Sequence, residues 1–90
     1  MPRVILSQWH QDVGARMKEA RHAAGLSMQV LGRRMGMPYQ IYQRYEAGIS
    51  RLPADAAVKV SEALNVDIRW LLGMRGASGR RKELGTRTGR

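Results

Sequence analysis

The chain contains no cysteine and no phenylalanine, and none of its apolar runs approaches the roughly 20 residues that span a bilayer. Without cysteine, disulfide cross-links and thiolate metal sites are excluded. The apolar segment VILSQW near the N-terminus is too short for a signal-peptide core and lacks a small-residue cleavage site. Ninety residues allow one domain with a modest, methionine-rich core. These features favour a soluble cytoplasmic protein.

Positive charge dominates the sequence, with 16 basic against 7 acidic residues and a net charge of +9. Residues 73–90 hold six of the basic residues and a single glutamate, among glycine, serine and threonine. Such a segment cannot bury a core, so residues 74–90 are predicted to be a basic flexible tail. It is either a solvated tail or a nonspecific phosphate-binding arm. The overall charge favours a polyanionic partner, which could be nucleic acid, an acidic membrane surface or an acidic protein.

The apolar spacing between residues 8 and 72 predicts five helices and no strands. The predicted helices are 8–24, 28–35, a third that starts within two or three residues and ends at Ala47, a fourth from Pro53 to residue 64, and a short fifth with the sequence IRWLL. Ser7, Ser27 and Asp67 are expected N-caps. The predicted fold class is all-α, a compact five-helix bundle covering residues 8–73 behind an N-terminal arm of residues 1–7.

Helix one is predicted to bury one face, because apolar residues recur along it at spacings of three and four. That face consists of Trp9, Val13, Met17, Ala20 and Ala24. Both tryptophans of the chain, Trp9 and Trp70, are expected in the core or in an interface.

Helices two and three are joined by the short sequence GMP, which is too tight for an antiparallel hairpin and predicts a steep crossing angle. Gly36 supplies the turn, and Gly32 allows the two helices to approach closely. Two packed helices with such a turn form a helix-turn-helix unit. The third helix would then project outward, and a single α-helix fits the DNA major groove.

The segments VGARMKEARHAAGLS, LGRRMG, YQRYEAG and EALNVDIRWLL together resemble the Cro and phage-repressor (Xre-like) helix-turn-helix family over residues 13–72. The resemblance implies a lambda-repressor-like fold in which helices two and three form the DNA-binding motif. YQIYQRYEAG is especially similar to a subgroup of bacterial regulators whose recognition helix carries an aromatic–Gln pair and then Gln–basic–Tyr–Glu.

Four residues lie on one face of the first turns of helix three and are candidates for base contact: Tyr39, Gln40, Gln43 and Arg44. A glutamine can pair with adenine through two hydrogen bonds, and Arg44 can pair with guanine or bind a phosphate. Tyr39 can contact a thymine methyl or a phosphate. The resemblance implies that positions 39, 40 and 43 commonly face bases. The alternative interpretation is a solvated polar surface.

Candidates for phosphate contact flank that helix. Ser27 can offer its hydroxyl and nearby backbone N–H groups, although a simple N-cap explains it equally well. Gln29 is a weak substitute for the glutamine that the family carries one position earlier, where Met28 stands here. Ser50 and Arg51 follow helix three and are expected along the DNA backbone.

The resemblance implies a structural ion pair between Arg21 and Glu46, which would tie helix one to the end of helix three. Two positions of helix three depart from the family pattern. Pro38 replaces a serine or threonine cap and offers no hydroxyl. Tyr42 replaces a branched aliphatic residue and, if buried, needs a partner for its own hydroxyl. Turning Ile41 inward instead would disturb the spacing between Gly36 and Glu46 on which the resemblance rests, so Tyr42 is predicted to face the core.

A homodimer is expected, because one such unit contacts few base pairs and the family implies pairs of half-sites. Its candidate interface is the last helix with the apolar N-terminal residues, namely Ile68, Trp70, Leu71, Leu72, Val4, Ile5 and Leu6. The alternative is that these residues simply close the monomer core.

The sequence therefore predicts a sequence-specific DNA-binding transcriptional regulator of bacterial or phage type, acting as a repressor on the nucleoid. Ninety residues leave no room for a separate sensor domain. No enzyme activity, metal or cofactor is expected, because His10 and His22 lie twelve residues apart without a metal-ligand or triad partner. Alternatives are the antitoxin of a toxin–antitoxin pair, a protein-binding transcriptional adaptor, and nonspecific coating of nucleic acid by the basic tail.

Overall fold

The computed structural model describes residues 6–74, which form five helices. Their bounds are α1 Gln8–Ala23, α2 Met28–Met35, α3 Tyr39–Ala47, α4 Ala54–Leu64 and α5 Ile68–Leu71. This confirms the all-α prediction and places each predicted helix to within a residue or two. Residues 1–5 of the predicted arm, with Val4 and Ile5, and residues 75–90 of the predicted tail lie outside the described residues.

Two of the three predicted N-cap side chains cap their helices. The Ser27 hydroxyl accepts a hydrogen bond from the Val30 N–H at 3.2 Å, and the Asp67 carboxylate accepts one from the Arg69 N–H at 2.8 Å. Ser7 stands at the N-cap position of α1, but its side chain caps no backbone group. Its hydroxyl lies instead 2.8 Å from Nδ1 of His10, so the prediction for this side chain was wrong.

The core lies between α1, α2, α4 and α5, with one tyrosine inserted from α3. Its fully buried side chains are Met17, Leu31, Tyr42, Val60 and Leu71. Each helix contributes one of them, which is the expected result of five short amphipathic helices sharing a single core.

The buried face of α1 is shorter than predicted. Val13, Met17 and Ala20 are buried, whereas Ala24 is exposed and Trp9 is 45% exposed. The Trp9 indole N–H donates to the Leu72 carbonyl at 3.0 Å, and its ring packs edge-on against His10. Trp9 therefore links the first turn of α1 to the end of α5 at the surface. The other tryptophan, Trp70, is half-buried against the core.

Two glycines allow α3 to pack closely against its neighbours. A Cβ atom on Gly32 would lie 2.8 Å from the Met37 carbonyl oxygen and 3.2 Å from the Tyr39 Cα, as expected for a close crossing of α2 and α3. A Cβ atom on Gly14 would collide with the backbone carbonyl oxygens of Tyr45 and Glu46. The contact between α1 and α3 is thus made backbone to backbone.

Candidate nucleic-acid interface

Helix α3 presents one face to the core and the opposite face to solvent. Tyr42 is fully buried. Gln40, Gln43 and Arg44 are all exposed. The structure therefore brings three of the four predicted base-contact residues together on an open surface. Tyr39 differs from them because it is half-buried at the start of the helix, close to Gly32.

A shallow groove runs along this outer surface and continues into the loop after α3. Its lining residues are Gln40, Gln43, Arg44, Ala47, Ile49 and Ser50. The groove combines predicted base-contact residues with Ser50, a predicted phosphate contact. It also includes Ala47 and Ile49, which were not predicted from the sequence. The helical spacing from Gln40 and Gln43 could have indicated Ala47, but Ile49 depends on the path of the loop.

The side chains of Arg21 and Glu46 form an ion pair that fixes α3 against α1. Arg21 Nε donates to Glu46 Oε2 at 2.6 Å, and Nη2 donates to Oε1 at 3.2 Å. Both side chains are buried, with 9% and 5% of their surfaces exposed. The hydrogen bond to Glu46 raises the pKa of Arg21 despite its burial. Because Arg21 Nη1 also donates to the Leu26 carbonyl at 3.0 Å, the pair holds the loop before α2 as well.

Tyr42 brings a hydroxyl group into the core beside this ion pair. Burial raises the pKa of the hydroxyl well above its usual range, and the Glu46 carboxylate raises it further, so the group stays protonated. Within residues 6–74 the hydroxyl makes no hydrogen bond. The prediction that Tyr42 faces inward and Ile41 outward is confirmed, but the partner that a buried tyrosine requires is not among the described groups.

The predicted phosphate contacts lie at two places around α3. Ser27 and Gln29 are exposed at the start of α2, where the Ser27 hydroxyl serves as the N-cap. Arg51 is exposed in the loop between α3 and α4, next to Ser50, which is half-buried. Thus uncharged polar side chains precede α3 in the chain, and a polar and a basic side chain follow it.

Leu6 joins the N-terminal end of the described chain to the end of α3. Its N–H donates to the Gly48 carbonyl at 3.3 Å, and its own carbonyl accepts from Gln11 Nε2 at 3.3 Å. Leu6 is half-buried there. These two hydrogen bonds hold the residue between α1 and the loop that follows α3.

The four residues of the predicted dimer surface on the last helix fall into two groups. Leu71 is fully buried in the monomer core, so it is unavailable to a partner, and the core interpretation applies to it. Ile68, Trp70 and Leu72 are half-buried. A second shallow groove between α4 and α5 includes Ile68 and the exposed side chain of Val58.

The two histidines lie on α1 without a cluster of other ligands. His10 contacts Ser7, and His22 Nε2 lies 3.3 Å from Nη2 of Arg21. Over residues 6–74, no three side chains of histidine, aspartate or glutamate come together in a way that could hold a metal ion. None of the helices in that range has the length and apolar composition to cross a membrane.

Known proteins share this arrangement. The helix-turn-helix family matches residues 17–71. An uncharacterized HTH-type transcriptional regulator of Sinorhizobium medicae is 36% identical over 58 residues, which are 64% of this chain and 42% of that protein. An uncharacterized transcriptional regulator in the ATPase CF(0) region of Rhodospirillum rubrum is 38% identical over 58 residues, 64% of this chain and 54% of that one. This chain thus spans about half the length of these curated relatives, or less.

Among solved structures, the restriction-modification controller protein C.AhdI from Aeromonas hydrophila superimposes with a TM-score of 0.65 at 28% identity. The match covers 68% of this chain and 92% of that protein. The relatives are named as transcriptional regulators, which are not enzymes. The matched segment contains all of α2, α3 and α4 together with the ion pair that anchors α3. The chain therefore belongs to the Cro and phage-repressor-like (Xre-like) helix-turn-helix family.

Proposed function

We propose that the protein is a sequence-specific DNA-binding transcriptional repressor that places α3 in the major groove of its operator. The observation that carries this proposal is the outer surface of α3, where Gln40, Gln43 and Arg44 are exposed together on a helix whose inner side is fixed by a buried ion pair. A helix held in this way presents its donors and acceptors in a constant geometry, which base recognition requires.

The chemistry of these side chains matches base edges. A glutamine amide can donate to N7 and accept from N6 of adenine, when its oxygen and nitrogen are suitably oriented, and an arginine can donate twice to guanine. The net charge of +9 favours association with DNA through phosphate neutralisation. Ser27, Gln29, Ser50 and Arg51 are the proposed phosphate contacts that fix the position of α3.

We further propose that two copies bind DNA together. One helix of this size reads only a few base pairs, and dimers of such units bind half-sites about one helical turn apart. Ile68, Trp70 and Leu72 are the proposed contacts between copies, since all three are apolar and only half-buried in the monomer, and Ile68 lines the α4–α5 groove. In this proposal residues 8–73 form the DNA-binding unit, residues 1–7 an arm and residues 74–90 a basic tail, and the protein acts in the cytoplasm on the nucleoid.

The names of the relatives agree with this function. C.AhdI is named as a controller protein of a restriction-modification system, and the curated relatives are named as transcriptional regulators. Repression is the simplest outcome of a small DNA-binding unit at a promoter, because it requires only that polymerase be excluded from the site.

The function can be tested by selecting duplexes from a random pool with the full chain at physiological salt. We expect enrichment of a site with two-fold symmetry, bound about 10³-fold or more tightly than a scrambled duplex. The double variant Gln40→Ala/Gln43→Ala should lose this preference. Gln8→Ala, which removes an exposed glutamine from α1 on a different part of the molecule, is the matched control and should retain it.

Two results would contradict the proposal. Equal, weak and strongly salt-dependent binding to all duplexes would indicate nonspecific coating. Full repression of a reporter gene in cells by the Gln40→Ala/Gln43→Ala variant would indicate that the outer surface of α3 does not contact DNA. The protein would then resemble a protein-binding adaptor.

A further inference from the structure

The groove beside α3 is lined by both polar and apolar side chains, and polar contacts with DNA would involve only the polar ones. Gln40, Gln43 and Arg44 supply donors and acceptors on one part of it, whereas Ala47 and Ile49 supply apolar surface on the other. Apolar side chains add nothing to phosphate binding, so the presence of the exposed Ala47 and the half-buried Ile49 next to three side chains proposed to read bases points to an apolar feature of the ligand. The inference rests on the proposed function, because it takes the ligand to be duplex DNA.

Only one base pair type offers such a combination in the major groove. An A·T pair presents N7 and N6 of adenine for an amide side chain, and the 5-methyl group of thymine next to them, whereas unmodified G·C pairs have no methyl group there. We propose that Ala47 and Ile49 form a seat for the 5-methyl group of thymine. An adjacent glutamine of the same groove then pairs with adenine, and the groove selects an A·T pair in each half-site.

The position of Ile49 is fixed before any ligand binds. Gly48 ends α3 with a left-handed backbone conformation, φ 73°, and the Ile49 N–H donates to the Arg44 carbonyl at 3.2 Å. Gly48 is itself buried against α1, where a Cβ atom would lie 3.0 Å from the Cα of Gln11. The turn therefore cannot shift freely, and Ile49 is held half-buried at the end of the groove. A fixed apolar surface loses little entropy when it covers a methyl group.

The molecule contains a matched control for this residue. Ile41 is a second isoleucine close to the groove in the sequence. It lies on α3 and is 41% exposed, but it does not line the groove. A general requirement for apolar surface near DNA would involve both isoleucines. The proposed methyl seat involves Ile49 and not Ile41.

The test uses the full chain and the duplex enriched from a random pool. Each thymine in turn is replaced by deoxyuridine, which removes only the 5-methyl group, and the dissociation constant is measured at constant salt. We expect one thymine in each half-site at which the wild-type chain loses affinity about fourfold, the value of one buried methyl group. Ile49→Ala should bind the thymine and deoxyuridine duplexes equally, and Ile41→Ala should retain the wild-type ratio.

The quantity compared is the ratio of the dissociation constants for the deoxyuridine and thymine duplexes, measured separately for each variant. A modest loss of stability in Ile49→Ala affects both constants equally and leaves this ratio unchanged. Thermal unfolding of both variants verifies that each is folded under the binding conditions. A site without A·T pairs, no deoxyuridine effect at any position, an effect that persists in Ile49→Ala, or an effect that disappears in Ile41→Ala would overturn the methyl seat alone. Failure to enrich any duplex would overturn the proposed function together with this inference.

Discussion

The inner face of α3 consists of buried side chains that pack or pair with other helices, whereas its outer face consists of exposed polar side chains. On the inner face Tyr42 is fully buried, and Glu46 takes part in a buried ion pair with Arg21. On the outer face the side chains of Gln40, Gln43 and Arg44 make no hydrogen bond or ion pair with any other described residue of the chain. The inner face therefore determines where the helix lies, and the outer face is free to bind. In the proposed function, stability and recognition are therefore carried by different residues of a nine-residue helix.

The largest effect is expected from breaking the inner ion pair. Glu46→Gln leaves the Arg21 guanidinium buried without its charge partner, which costs about 3–5 kcal/mol in proteins where such a pair is well buried. Urea denaturation followed by circular dichroism measures the loss. A small domain has a total stability of only about 5–15 kcal/mol, so this variant should lose a large part of its free energy of unfolding.

An apolar replacement of both partners is the control for that variant. Arg21→Met/Glu46→Leu removes both charges and should recover part of the loss, because no buried charge remains unpaired. Recovery will be incomplete, since the Leu26 carbonyl also loses the donor that Arg21 Nη1 provides. A loss below about 1 kcal/mol for Glu46→Gln would show that solvent reaches Arg21 and that the inner face does not hold the helix rigidly.

The next largest effect tests whether the inner face transmits changes to the outer one. Gly14→Ala introduces a Cβ atom against the backbone oxygens of Tyr45 and Glu46, so α1 and α3 must move apart. Overpacking of this kind costs about 1–3 kcal/mol. We also expect a loss of operator affinity under conditions in which the variant is fully folded, because the whole outer face moves with the helix.

Gly25→Ala is the comparison for Gly14→Ala. Gly25 has a left-handed backbone, φ 70°, and a Cβ atom there would meet nothing within 4 Å. The substitution costs about 1 kcal/mol through backbone strain and should leave operator affinity unchanged. Equal affinity losses for both alanine variants, measured by DNA titration, would argue against transmission through the α1–α3 contact.

The unpartnered Tyr42 hydroxyl predicts a smaller effect of opposite sign. Tyr42→Phe removes a buried polar group that makes no hydrogen bond within residues 6–74 and should raise the free energy of unfolding by about 1 kcal/mol. Destabilisation of the phenylalanine variant would instead reveal a hydrogen bond to Glu46, whose carboxylate already contributes to the raised pKa of the hydroxyl.

The same residue gives a pH dependence. Burial raises the folded-state pKa of Tyr42 above the unfolded value of about 10, so the folded chain holds this proton more tightly. Its contribution to stability is fully present below about pH 10 and is lost as the pH rises above that value. Wild-type stability should therefore fall more steeply than that of Tyr42→Phe in alkaline solution, as denaturant titrations at several pH values would show.

Local sequence patterns sufficed for most of the scaffold. Apolar spacing placed Val13 and Met17 in the core, and the interval between Gly36 and Glu46 that the family resemblance implies correctly put Tyr42 inside rather than Ile41. These predictions succeed because helical periodicity and turn chemistry are properties of neighbouring residues.

Features that depend on tertiary packing were harder to predict. The apolar periodicity of α1 predicts that Trp9 is buried. The side chain is 45% exposed, because no other described helix completely covers the first turn of α1. Leu71 matches the apolar pattern of a dimer surface as well as that of a core, and only the packing of α5 distinguishes them. Ile49 joins the groove because the chain turns at Gly48 and stays beside α3, which the local sequence pattern does not reveal.

The smallest stability effect is expected on the outer face, and it completes the comparison. Arg44→Ala and Gln43→Ala remove exposed side chains without a hydrogen-bond or ion-pair partner among residues 6–74, so the free energy of unfolding should change by no more than about 0.5 kcal/mol. Each substitution should nevertheless weaken operator binding by about 1–3 kcal/mol, because it removes one side chain that is proposed to read a base. Paired denaturation and DNA titrations on the same preparations measure both quantities. A stability loss as large as that of Gly14→Ala would mean that the outer residues also hold the helix in place, and the division between the two faces would be wrong.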